Sequence, residues 1–393
     1  MLAFASALSA MQGHAGSLEQ AKRIHDRLAG VPPTEAVLLS MQQKIEGGDA
    51  LGAAHEAMEN DGFYNVTIKN WAAPWTNRDF DVFVPLNDYM ATVIGLVRDS
   101  DEIDFREVLY GDHLYVANAS LGLPAYSVSN NDHYEQLEAG GYSLKDNLEH
   151  RAQSAVTGLP AEAAAGVVTS RAAAKAFFIA GTNRANFRFT LINHLCMDLE
   201  QVHDVTRVPD RIRQDVSRSP GGDSRVFLNN CIGCHSGMDP LAQAFAYYDY
   251  SYDAEGDPLG ENGQIQYNIA ADPDTGTRVQ PKYFNNDATF PPGFVTPDDA
   301  WTNYWRAGQN AALGWDEALP GSGAGASSML QELAHSEAFS ACAVKKVFKT
   351  VCLRDPHDQE DLDQLQSLQN QFESGNYNIK TVFAESAVYC SGD

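Results

Sequence analysis

Six cysteines constrain this chain more than any other feature. Cys231 and Cys234 stand three apart in the run Cys231-Ile232-Gly233-Cys234-His235, while Cys196, Cys342, Cys352 and Cys390 lie elsewhere. The four outside the run are an even number, so up to two disulfides can form, in three alternative pairings. Such usage suits an oxidising compartment. Helix geometry narrows the pairing. A helix is expected over 336–351; if it runs on to Cys352, that residue and Cys342 lie about 15 Å apart, beyond the ~7 Å limit for a disulfide. In a three-helix tail with short connections, the first and third helices run parallel. Cys352 then comes near Cys390, and Cys342 is left for Cys196.

Apolar spacing predicts a mainly α-helical fold. Leu18, Ala21, Ile24 and Leu28 recur three or four apart, Gly30 stops that helix, and Pro32-Pro33 separates it from a second one that Thr34 caps. Further helices are expected near 51–60, 87–99, 161–180 (interrupted around 167–169), 186–203, 298–307 and 328–334. Ser328 and Gln331 would form a capping box for the last of these. The tail reads as three helices, 336–351, 358–372 and 379–389. Residues 126–160 read as a long polar surface excursion, and 206–222 as loop. Two short strands are expected near 247–250 and 263–269. The aromatic run over 61–125 reads as core. The whole is a helical multi-domain protein: a helical N-terminal domain (1–125), a loop-rich central domain with few short strands (126–335) and a three-helix C-terminal domain (336–393).

Charge and hydropathy exclude several partners. With 27 basic against 52 acidic residues the net charge is −25, so nucleic acid and anionic lipid are repelled, and a partner protein with a basic docking face is favoured. No stretch approaches the ~20 apolar residues of a membrane span. Residues 2–11 are apolar and rich in small residues, yet no Lys or Arg precedes Lys22. They fit either the trimmed end of an export signal or a first helix.

The run Cys231-x-x-Cys234-His235 is the attachment motif for haem c. Two thiols on one helical turn can reach both vinyl groups along one porphyrin edge, and the adjoining His235 can then ligate the iron. A zinc site would want two further ligands, but no second CxxC and no HxxxH occurs. There is one such motif, hence one haem. No Gly-x-Ser-x-Gly, Walker A, dinucleotide-binding or HExxH pattern is present, so hydrolase and nucleotide chemistry have no foothold.

The longer run Cys231-Ile-Gly-Cys234-His235-Ser-Gly-Met238-Asp239-Pro240-Leu241, followed by Tyr248-Asp249, resembles the haem-attachment region of the planctomycete-type cytochrome c proteins. Ala242 stands where that family usually has Gly. Gly166–Arg171 and Arg184–Cys196 are similar to the family's upstream segment, and Ser336–Cys342 with the helices to Cys390 is similar to its C-terminal domain. Together these cover roughly 165–393. The resemblance implies export, to periplasm or cell exterior, and haem c; it implies no settled reaction.

The second axial ligand decides the class of chemistry, since electron transfer uses six-coordinate iron and peroxidase-like chemistry an open site. Met238 is too close in sequence to His235 to reach the opposite face. Met329, His335, Met197, His194 and His203 remain, with Met329 taken as the second metal ligand beside His235. Asp249, Asp253, Glu255 and Asp257 crowd one loop that could hold Ca²⁺, although the EF-hand pattern is broken. The expectation is a one-electron carrier, with an open-site haem enzyme or a haem-bearing subunit of a larger secreted or cell-surface assembly as alternatives.

Overall fold

A computed structural model of the chain describes residues 16–179, 183–211, 224–283 and 294–392. The apolar N-terminal stretch at 2–11 and most of the loop at 206–222 lie outside the described residues. Within them the fold is mainly helical, with a few short strands.

Local chemistry sets the first helices. Ser17–Ala29 buries Ala21, Ile24 and Leu28 on one face. It stops at Gly30, whose φ of +68° lets its N–H reach the Asp26 carbonyl. Thr34 caps Glu35–Glu46 by accepting from the Val37 N–H. Ala50–Met58 completes this group. Asp88–Arg98 is the central helix. Its residues from Asp88 to Val97 are all buried, as its nearly uninterrupted apolar run requires. Gly95 lets Leu114–Ala117 close upon it, since a Cβ there would sit 2.2 Å from the Tyr115 ring.

The tail forms three helices, Glu337–Cys352, Gln359–Ser374 and Ile379–Tyr389, capped by Ser336, Asp358 and Asn378. The last packs on Ala50–Met58 and Ser17–Ala29. Arg27 and Arg23 donate to the carbonyls of Cys390 and Ser391, which fastens the two ends of the described chain together. One hydrophobic core runs from Ala21 to Ala387 and takes side chains from all three expected domains. The boundaries at 125/126 and 335/336 therefore fall inside continuous packing.

Two disulfides close this core, Cys196–Cys342 and Cys352–Cys390, with Cα separations of 5.3 and 5.5 Å. Helix length excludes Cys342–Cys352, and the three-helix tail argument then gives these pairings. No helix among the described residues is long and apolar enough to cross a membrane.

Three two-stranded antiparallel ladders decorate the helices: Leu114–Ala117 with Leu148–Arg151, Tyr248–Ser251 with Gln264–Tyr267, and Ala300–Thr302 with Ser322–Ala324. The second is the expected pair. The third replaces an expected helix at 298–307. There Trp301 Nε1 donates to Ser328 Oγ, Gly321 and Gly325 turn the partner strand with φ of +66° and +80°, and Tyr304–Arg306 follows as one 3-10 turn. Ser328 is thereby taken from its expected capping role, and the helix begins earlier, as Ala326–Ala334. The expected excursion at 126–160 contains the helix Asp132–Ala139, which buries His133, Tyr134 and Leu137. The helix expected over 186–203 is shorter. Arg184–Thr190 widens into a π-turn, Leu191–Leu195, and ends at Cys196, whose φ is +56°.

Candidate cofactor-attachment site

Cys231 stands at the start of the helix Ile232–Ala242. At 100° per residue, Cys231, Cys234 and His235 fall within roughly 100° of arc, so one face carries both thiols and the imidazole. Neither thiol is in a disulfide, and both are half-buried. Cys234 Sγ lies 3.4 Å from the Leu199 carbonyl, and burial pushes its thiol up from the ordinary cysteine range.

His235 is fixed from the next turn. Its Nδ1–H donates to Asp239 Oδ2 at 3.0 Å. The Asp239 side chain is 2% exposed, and Arg184 grips it through Nε at 2.7 Å and Nη2 at 3.2 Å. The Phe227 ring meets the imidazole edge-on, 5.3 Å between centroids. With Nδ1 engaged, Nε2 has no hydrogen-bond partner among the described residues, and its side chain keeps 19% of its surface. A carboxylate bonded to the other ring nitrogen of a metal-ligating histidine sets its tautomer and orientation. The donor set therefore fits haem c: two unpaired thiols on the face of one turn, and an imidazole whose outer nitrogen is free.

The back of this helix is closed by the segment at 199–206. Asp204 N–H donates to the Gly233 carbonyl at 2.9 Å, and Ser236 Oγ donates to the Asp204 carbonyl at 3.0 Å. The His203 imidazole lies directly on Gly233, where a Cβ would meet Nε2 at 2.3 Å. Gly233 precedes His235 by two residues and points the other way. His203 thus stands behind the helix, on the side away from His235.

The other second-ligand candidates have their own surroundings. Met329 has no exposed surface; it sits in the core on Ala326–Ala334, a helix packed mainly on Glu107–Tyr110. Met238 is buried as well. His194 is buried beside Trp75, with Nε2 at 2.8 Å from the Tyr89 hydroxyl, and burial, aided by Lys346, holds its pKa well below the usual histidine range. His335 faces Asp316 through Nδ1 at 3.3 Å. Met197 is half-buried and lines an open cavity of about 430 Å³ with Phe80, Arg188 and Phe189.

The acidic loop weighed for Ca²⁺ is used for local structure. Asp249 binds Lys282 at 2.5 Å, Asp253 accepts the N–H groups of Glu255 and Gly256, and Asp257 accepts from the Asn262 N–H. These carboxylates do not converge among the described residues. Sequence reasoning gave Asp239 no role beyond its place in the resemblance. Its spacing of four from His235 was the available signal, whereas Arg184 arrives from 55 residues away. Compared with protein-family models, curated proteins and solved structures, the chain matches none.

Proposed function

We propose that this chain is an exported carrier of one haem c, bound through Cys231 and Cys234 and ligated by His235, that passes single electrons to and from a partner with a basic face. The observation that carries this reading is the pair of unpaired thiols beside an imidazole with Nδ1 occupied and Nε2 free. Such a haem, when bound, supplies a one-electron iron couple. The chain's own residues orient it: Cys231 and Cys234 fix one edge, Asp239 and Arg184 hold the imidazole upright, and Phe227 limits its rotation. The two disulfides fit the oxidising compartments, periplasm or exterior, in which haem c proteins work. The resemblance to the planctomycete-type cytochromes points the same way.

A second reading, an open-site haem enzyme of peroxidase-like chemistry, draws on one observation. A carboxylate on Nδ1 makes the imidazole more basic and so favours higher oxidation states of a bound metal.

Acid–acetone treatment tests the attachment. Wild-type haem should stay with the protein pellet, and the double variant Cys231→Ala with Cys234→Ala should release it. Free extraction from the wild type defeats the proposal. Cyanide separates the two readings: an unchanged low-spin spectrum supports the carrier, and a high-spin ferric spectrum that shifts on cyanide addition supports the enzyme.

A further inference from the structure

Far along the chain from the cysteine motif, two imidazoles meet head to head. His113 Nδ1 lies 2.8 Å from His150 Nε2, with the ring centroids 5.0 Å apart. On the other side of the first ring, His113 Nε2–H donates to Glu107 Oε2 at 2.6 Å. The fold builds this contact. Tyr115 pairs across the ladder with His150, and His113 precedes Tyr115 by two, so His113 and His150 are diagonal neighbours on one face. Gly111 makes the space, since a Cβ there would meet His113 Cδ2 at 2.3 Å. His150 is exposed.

We propose that His113 and His150 form a site for a divalent transition-metal ion such as Zn²⁺ or Cu²⁺, with Glu107 orienting His113 from behind and water completing the coordination. Two nitrogens on a tetrahedral ion at about 2.05 Å stand roughly 3.3 Å apart, so the present spacing needs to open by only about half an ångström. The ion takes the place of the hydrogen-bonded proton between the rings, and His150 keeps its own proton on Nδ1. Glu107 on the far nitrogen supplies the carboxylate–histidine–metal arrangement that raises ligand basicity. Asp99 and Asp112 act on the His150 ring, while nearby Arg151 is engaged by Glu149 at 2.5 Å and Arg106 by Asp104 at 2.6 Å.

The group His357, Asp358 and Asp361 also brings three donors together. There, however, the Asp361 carboxylate already holds the Arg354 guanidinium and the Tyr389 hydroxyl, so an ion would face a fixed positive charge. It serves as the control.

The haem-loaded protein, stripped of loose metal by a chelator, is titrated with Zn²⁺ in equilibrium dialysis. One ion should bind per chain. His150→Ala and His113→Ala should each weaken binding at least tenfold. Gly111→Ala should weaken it without removing a donor, and Glu107→Gln by about tenfold. His357→Ala should leave it unchanged. With Cu²⁺, electron paramagnetic resonance should show coupling to two nitrogens. No stoichiometric ion in the wild type, retention by both imidazole variants, or loss on His357→Ala overturns the proposal. Haem retention, assayed separately, bears on the attachment reading alone.

Discussion

Asp239 is where a single side chain has most leverage over the proposed chemistry. Its carboxylate accepts from His235 Nδ1 while Arg184 holds it in place, so the imidazole carries more negative character than one bonded to a neutral carbonyl. In the proposed haem site that character would favour ferric over ferrous iron. Asp239→Asn keeps the shape and removes the charge, so the midpoint potential should rise. A tenfold shift in the ferric-to-ferrous balance corresponds to about 59 mV for a one-electron couple. Redox titration of both proteins measures it, and an unchanged or lowered potential counts against the role. The site was only partly legible in the sequence. Cys231, Cys234 and His235 stand out because the proposed thioether attachment demands that spacing. Asp239 is one turn from His235, but a spacing of four is common and carries no signal until Arg184 is seen to join it. The fit of the His203 ring onto Gly233 left no mark at all, because it depends on how residues 199–206 fold back.

At the scale of elements, legibility followed capping chemistry. Thr34, Ser336 and Asp358 cap the helices that spacing predicts, and Ile379–Tyr389 has the expected ends. Local rules failed where a tertiary partner competed, as with Ser328, whose hydroxyl accepts from Trp301. One helix-to-turn contact yields a pH prediction. Lys346, on Glu337–Cys352, places Nζ 4.6 Å from the centre of the Trp75 ring and donates to the Asn193 carbonyl at 2.6 Å. No carboxylate partners it among the described residues, and burial brings its pKa down to about 7. The unfolded chain, with its lysine near the ordinary value of about 10.4, binds more protons between those limits. Stability should therefore rise as pH climbs from about 7 towards 10, by up to about 1.4 kcal/mol per unit from this residue. Lys346→Met should flatten that rise. Urea unfolding at pH 7 and pH 9, with wild type and variant side by side, measures the difference; equal slopes rule out the lysine as the source.

At the scale of the whole molecule, the two disulfides divide the work of holding one acidic chain together. A net charge of −25 opposes compaction, and the opposition weakens as salt screens it. Cys352–Cys390 spans 38 residues and ties the first and third tail helices. Cys196–Cys342 spans 146 and ties the tail to the turn at Leu191–Leu195. This pairing could be reached from sequence because helix rise separates Cys342 from Cys352 and the parallel first and third tail helices bring Cys352 to Cys390; the shared core could not, because apolar spacing does not say which faces meet. In the chain-entropy model the longer bridge is worth about 5 kcal/mol and the shorter about 4. Cys196→Ala with Cys342→Ala should therefore lower the unfolding free energy more than Cys352→Ala with Cys390→Ala. Added salt should recover part of either loss. Non-reducing peptide mapping first verifies the bridges, and denaturant unfolding of the two double variants then ranks them. Removal of the longer bridge also frees the turn that ends at Cys196, three residues before the Leu199 carbonyl against which Cys234 packs. That variant should consequently lose haem attachment efficiency along with stability, while the tail variant should lose stability alone. Equal haem yields from two equally folded variants would show that the tail does not support the attachment site.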